Sequence, residues 1–314
     1  MINKLWSKWE EFFFAPADAL PAGVFRFLFA VNAFIMYAIR FKDWRFYFTD
    51  DGFLPQAGVF DILPEFYRPA ISWFPHSAPT ALAMNIGLLI CLLLLIVGLV
   101  PRLAAAVGFF LHVGLIQRNY SVAYGADFIT TFMFFSLIFM RSNRRFSLPA
   151  WWRARRGLSP MLDSGSVGQL LSSMGVRMMQ LQLCLIYAYT GLEKMKGAAW
   201  WDGSAIWAVV GNQQIMFIDS SWLKHVPLLL AAMTFLTLLF EIYFAVLVWT
   251  PLRKWIILLG IAMHTGIALS IGLFYFSFGM MCVYVLFADP VWLDATLTRY
   301  LRIPRSWLGA PVEV

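Results

Sequence analysis

TALAMNIGLLICLLLLIVGLV, residues 80–100, contains no Asp, Glu, Lys, Arg or His. A helix needs ~20 apolar residues to cross the ~30 Å hydrocarbon of a bilayer, so this run is long enough to span a membrane. The rest of the chain agrees. Its 314 residues are 61% hydrophobic and 13% charged, and mean hydropathy is +0.72, whereas soluble domains carry ~25% charged residues. Working outward, further apolar runs occupy 22–40, 103–118, 126–141, 176–195, 227–249, 255–272 and 274–288. Together they predict an all-α fold, a polytopic transmembrane bundle of about eight helices; those at 103–118 and 126–141 are short, and a tilted pair or a re-entrant stretch between them would also fit.

Lys and Arg set the expected orientation. The 141–177 loop carries Arg141, Arg144, Arg145, Arg153, Arg155, Arg156 and Arg177 against Asp163 alone, so it is expected in the cytoplasm. Arg102, Arg253, Lys254, Arg299, Arg302, Arg305 and the N-terminal Lys4 and Lys8 then fall on the same side, and both termini are cytoplasmic. The +7 formal charge therefore reads as topology signals and contacts with membrane lipids, with no nucleic-acid partner. Residues 1–20 are expected to form an amphipathic interfacial helix, with Leu5, Trp9, Phe12 and Phe13 on one face. Residues 21–288 form the membrane domain and 289–314 a short cytoplasmic tail. The outer loops, 41–79 above all, are rich in aromatics and mixed charge and are expected to be structured. No repeat is legible. Cys91, Cys184 and Cys282 all lie in apolar runs and show no paired or metal-binding spacing; no metal is expected.

An ionisable group inside hydrocarbon is costly and calls for a reason. In YAYTGLEK, residues 187–194, Lys194 shares a helical face with Tyr187, Thr190 and Gly191. Gly191 allows close approach by another helix or a ligand. Lys194 has two readings. It is a snorkelling lysine at the interface, paired with Glu193 or wet, or an amine in apolar surroundings, where the charged form of a base is disfavoured and a general base results. His264 lies in a stripe of small residues with Gly260, Ala268 and Gly272, and so faces protein. It is an interhelical hydrogen-bonding group or a partner of a bound ligand. Glu241, deep in LLFEIYFAVLVW, is a partner for His264 or Lys194, or a protonated structural acid. Asp127 opens a helix, where an acid favours the amide end. His112 reads as a satisfied core histidine.

The stretch TGLEKMKGAAWWDG, 190–203, resembles the small-Gly-aliphatic-x-Lys…Trp-x-x-Gly motif of the HTTM (horizontally transferred transmembrane domain) family, relatives of vitamin K-dependent γ-glutamyl carboxylase. RNYSVAYGAD (118–127), Glu241 and MHTGIALSIGLFYFS (263–277) resemble further family segments in order. The resemblance spans most of residues 20–288. It implies a bacterial inner (plasma) membrane protein using a quinone/hydroquinone cofactor, vitamin K-like or menaquinol. Lys194 would be the base that deprotonates the quinol in carboxylase- or epoxidase-type chemistry. His264 would hydrogen-bond the quinone, Glu241 would tune the site, and Tyr187, Gly191, Trp200, Tyr120 and Asp127 would line the cofactor. The chain departs from the carboxylase at Tyr120, where the enzyme has a catalytic histidine, and it runs only a short way beyond the membrane domain, where the carboxylase has a large lumenal domain. The family also holds a small membrane protein that matures a secreted peptide, so such a peptide is an expected substrate or partner. Three functions follow: a quinol-using lyase-like membrane enzyme, a non-catalytic maturation or immunity partner, or a small-solute transporter.

Overall fold

Residues 2–55, 57, 58, 61, 77–159, 161 and 166–308 are described by the structure, a computed structural model. Much of the loop expected to be structured at 41–79 lies outside them. The described residues are helical, with no strand among them. Four helices are long and apolar enough to cross a membrane, or five if a bent pair near the C-terminus is one span. The chain divides into two compact units, residues 1–178 with 288–314, and residues 179–287.

The first unit starts with α1, Ile2–Phe14, where Trp6 and Trp9 stack at 5.2 Å and are exposed. Asp18 caps α2, Ala19–Arg40, by accepting from the Leu20 amide. α3, Ala78–Val97, begins at the Ser77 cap and ends on Gly98, whose φ of 77° is open to glycine at little cost. Pro101 opens α4, Pro101–Arg118. α5, Gly125–Phe139, has 15 residues, a rise of only ~22 Å, and so falls short of the test for a span. α6, Leu148–Arg155, is a short helix within the basic loop.

Arg26 is fully buried in mid-α2. Its guanidinium donates to the carbonyls of Leu95, Ile96, Ser142 and Phe146. The last turn of α3 has carbonyls without intrahelical partners, and this cation meets them at the negative end of the helix. The same buried polar logic holds the C-terminal segment. α11, Pro290–Arg299, and the turn Arg305–Leu308 are docked on it. Arg145 donates to Asp18 and Asp294 and to the Leu308 carbonyl, and Trp151 stacks on Trp307 at 5.4 Å. Within the segment read as a tail, 289–314, residues 290–308 pack with the first unit. The contacts are made by arginine and backbone, which apolar periodicity does not reveal.

The second unit takes the last part of α7, Ser166–Lys194. This helix begins ten residues before the apolar run because SVGQLLSSMG contains no breaker beyond two tolerated glycines. Next come short helical turns at Ala198–Trp201 and Ala205–Val210, where a loop was expected. α8, Pro227–Leu247, and α9, Arg253–Ile271, follow. Gly272, expected in the helix-packing stripe, instead ends α9 with φ 72°. α10, Phe274–Tyr284, continues as a 3-10 turn to Phe287.

The two units follow one plan. Each has a helix, a long connection, a second helix, a short connection, a third helix, a tight turn and a fourth: α2, α3, α4, α5 in the first, α7, α8, α9, α10 in the second. No repeat was legible in the sequence, because the likeness lies in connection lengths and in single polar side chains.

Candidate functional site

Gly191 brings α7 against α8. A Cβ there would lie 3.0 Å from the Ile242 amide nitrogen and 3.2 Å from the Glu241 carbonyl carbon. The neighbour over Gly191, expected to line a cofactor, is thus a helix of this chain. One turn further along α7, Lys194 Nζ donates to Glu241 Oε2 at 2.6 Å. The side chains are 25% and 9% exposed, so the carboxylate is nearly buried while the amine keeps an opening.

Trp200 covers the amine, its ring centroid 5.4 Å from Nζ. The turn bearing it is fastened at several points. Trp201 Nε1 donates to the Met195 carbonyl at 2.7 Å. Thr234 Oγ1 on α8 donates to the Gly203 carbonyl at 3.1 Å. Gly203 has φ 80°, which other residues adopt only under strain. The Ser204 hydroxyl and amide hold the Asp202 carboxyl below its usual pKa. Glu193 is elsewhere: it accepts from exposed Lys196 at 2.6 Å, and that bond holds the Lys196 ammonium above its usual pKa. Of the partners considered for Lys194, Glu241 is the one found.

A second polar group lies in the same unit. Tyr187 OH is 2.7 Å from His264 Nε2 and 2.5 Å from Tyr284 OH. All three residues are buried, among Phe240 and Phe244, whose centroids are 5.0 and 4.6 Å from that of Tyr187. Tyr187, expected to line a cofactor, has its hydroxyl committed to protein. The buried face of α9, Ile256, Gly260, His264 and Ala268, holds three of the four stripe residues read from the sequence, Gly272 being the cap. Tyr284 was missed. Gly260 is its signature: a Cβ there would stand 2.2 Å from the Tyr284 hydroxyl oxygen.

Tyr120 and Asp127 belong to the first unit. Asp127 is fully buried and takes both Arg40 guanidinium nitrogens, at 2.6 and 2.9 Å. It also accepts from the Tyr124 amide, forming the cap of α5. Its oxygens are therefore occupied by protein. Tyr120 sits half-exposed in a 3-10 turn. His112 is satisfied on both sides, by Tyr37 OH at 2.5 Å and by the Asp127 carbonyl and Thr131 Oγ1 at 3.0 Å each. All three cysteines are buried and free. Among the described residues, no group of three metal-ligating side chains is found.

No family model and no solved structure matches the chain. It is 23% identical over 220 residues to "Uncharacterized protein YitO" of Bacillus subtilis (strain 168), covering 67% of this chain and 68% of that protein.

Proposed function

We propose that the chain is an eight-span bacterial plasma-membrane enzyme that uses a quinol-type cofactor on a peptide or lipid substrate at the outer face, with both termini cytoplasmic. The reading draws on the resemblance to the HTTM family and on one observation above the rest: the 2.6 Å pair of Lys194 and Glu241 under the Trp200 ring. The residues fit such a cofactor. An indole offers a flat face to a ring, the amine is partly open, and the acid beside it is nearly buried.

A bound quinol supplies an acidic ring hydroxyl and a redox-active ring. The chain supplies a seat for the hydroxyl proton. As a free amine Lys194 Nζ would take the proton of a ligand hydroxyl resting on Trp200, and the Glu241 carboxylate, 2.6 Å away and nearly buried, would offset the charge of the ammonium formed. With dioxygen as co-reactant this first step would lead to epoxidation alone, or, with carbon dioxide as well, to carboxylation of a secreted peptide.

The pair also joins α7 to α8, as Gly191 does, and this favours a structural reading as the rival. The test is oxygen uptake by the purified protein supplied with menadiol. Lys194→Ala should remove turnover by at least ~100-fold, the lower range for general-base catalysis, while its melting temperature stays within a few degrees. Added methylamine should restore part of the rate. A Lys194→Ala protein that turns over menadiol at the wild-type rate, beside a Glu241→Ala protein that no longer folds, leaves only the structural reading.

A further inference from the structure

Where α4 starts and α5 ends, three arginines of the first unit converge. Arg102, the second residue of α4, donates through Nη2 to the carbonyl of Phe139, the last residue of α5, at 2.6 Å. Arg141 follows two residues later. Its amide donates to Ser172 Oγ of α7 at 3.0 Å. Its guanidinium lies in the space left by Gly168 of the same helix, where a Cβ would overlap it. Arg144 is near both: burial first, and then the positive charges of Arg141 and Arg102, hold its guanidinium below the usual pKa. All three side chains are half-buried.

A topology signal has no need of such an arrangement. Like charges brought together away from water raise one another's energy, and a buried charge is costly unless it is paired. The ion pairs among the described residues do not include Arg102. Its Nε is buried with no hydrogen-bond partner, whereas nearly all such atoms in folded proteins have one. Its Nη2 meets a neutral carbonyl, which satisfies a hydrogen but leaves the charge. The orphan donor and the gathered positive charge call for the same complement, an anion.

The flanking residues say which kind. Leu99, Val100 and Leu103, on either side of Arg102, are exposed. They follow α3, which is long and apolar enough to cross a membrane. A small soluble anion gains nothing from three apolar side chains. A phospholipid gains from both parts, its phosphate on the guanidinia and its acyl chains on leucine and valine. A choline or ethanolamine headgroup would bring a cation back to the cluster, so a headgroup of net negative charge fits best. We infer that Arg102, Arg141 and Arg144 form a binding site for the phosphate of an anionic phospholipid, with Arg102 Nε–H among its donors. This inference is independent of the quinol reading.

The test is native mass spectrometry of the full-length protein in detergent, titrated with dioleoylphosphatidylglycerol or with dioleoylphosphatidylcholine. The glycerol lipid should bind more tightly. Arg102→Gln and Arg144→Gln should each weaken its binding about fivefold, the equivalent of ~1 kcal/mol per arginine, and leave the choline lipid unaffected. Arg102→Lys keeps a charge in place and should lose less than Arg102→Gln. Arg305→Gln, at an exposed arginine of the same unit, should bind as wild type. If Arg102→Gln fails to fold because its contact with Phe139 is lost, Arg144→Gln and Arg102→Lys decide the matter. Equal affinity for the two lipids overturns the inference, as does a loss in Arg305→Gln as large as that in Arg144→Gln. Displacement of the glycerol lipid by millimolar inorganic phosphate would make the ligand a soluble anion and overturn the lipid assignment.

Discussion

Gly260 decides how closely α9 and α10 can meet. An added methyl would stand 2.2 Å from the Tyr284 oxygen and 2.9 Å from the Phe240 ring, so Gly260→Ala must displace one of two buried rings. Overpacking of this kind costs about 1–3 kcal/mol, and the detergent-solubilised variant should melt several degrees below wild type. Gly266→Ala on the same helix is the control. Its Cβ meets nothing, and alanine is the better helix former, so its melting point should hold or rise. Equal melting of Gly260→Ala and wild type would refute the contact. At this scale part of the site was legible. The four-residue spacing of Gly260, His264 and Ala268 put His264 inside, and the spacing of Gly191 and Lys194 put both on one face. Tyr284 was not legible, because it ends a run, FYFSFGMMCVY, with no polar period to single it out. Arg26 was not legible either, because its partners are backbone carbonyls, which every residue has.

Elements are held in place by their ends. α5 begins where Asp127 accepts from the Tyr124 amide and from Arg40 of α2, so one carboxylate both caps a helix and ties it to another. Asp127→Ala removes the cap and leaves Arg40, 14% exposed, without its acid. Breaking a buried pair in this way costs about 3–5 kcal/mol, more than an N-cap alone at ~1 kcal/mol. Asp127→Asn retains an acceptor for the cap and should lose less. Thermal unfolding in detergent should rank wild type above Asn and Asn above Ala. If Asn melts like wild type, the charge paired with Arg40 adds nothing to the cap. Helix existence was readable and helix ends were not: the runs read at 80–100 and 103–118 miss the stop at Gly98 and the start at Pro101, because apolar residues continue across both. Nor was the start of α7, since its first turns are polar enough to pass for loop and are helical only because nothing in them forbids it. The docking of α11 was hidden for the reason given by Arg145: ion pairs between distant loops leave no local pattern.

At the level of the whole chain, the shared plan of the two units bears on how many helices cross the membrane. If only the four helices that pass the length and apolarity test cross, then 98–226 stays on one side, and the connection at 195–226 is cytoplasmic. If all eight cross, α4, α5 and α7 reverse the chain three more times, and 195–226 lies outside, with the Lys194 site at the outer end of its helix. The shared order of elements favours the second arrangement, since each copy supplies four helices. The basic residues agree, since Arg102, Arg253 and Lys254 stand at the short connections between second and third helices in both units. Single cysteines in a chain lacking Cys91, Cys184 and Cys282 should decide it. A membrane-impermeant maleimide should label Asp51→Cys and Gln213→Cys in intact cells, both positions being exposed. Ser7→Cys and Arg299→Cys should label only after the membrane is opened. Gln213→Cys is the discriminating position: protected in intact cells, it would reduce the count to four and place the Lys194–Glu241 pair on the cytoplasmic side, out of reach of a substrate at the outer face.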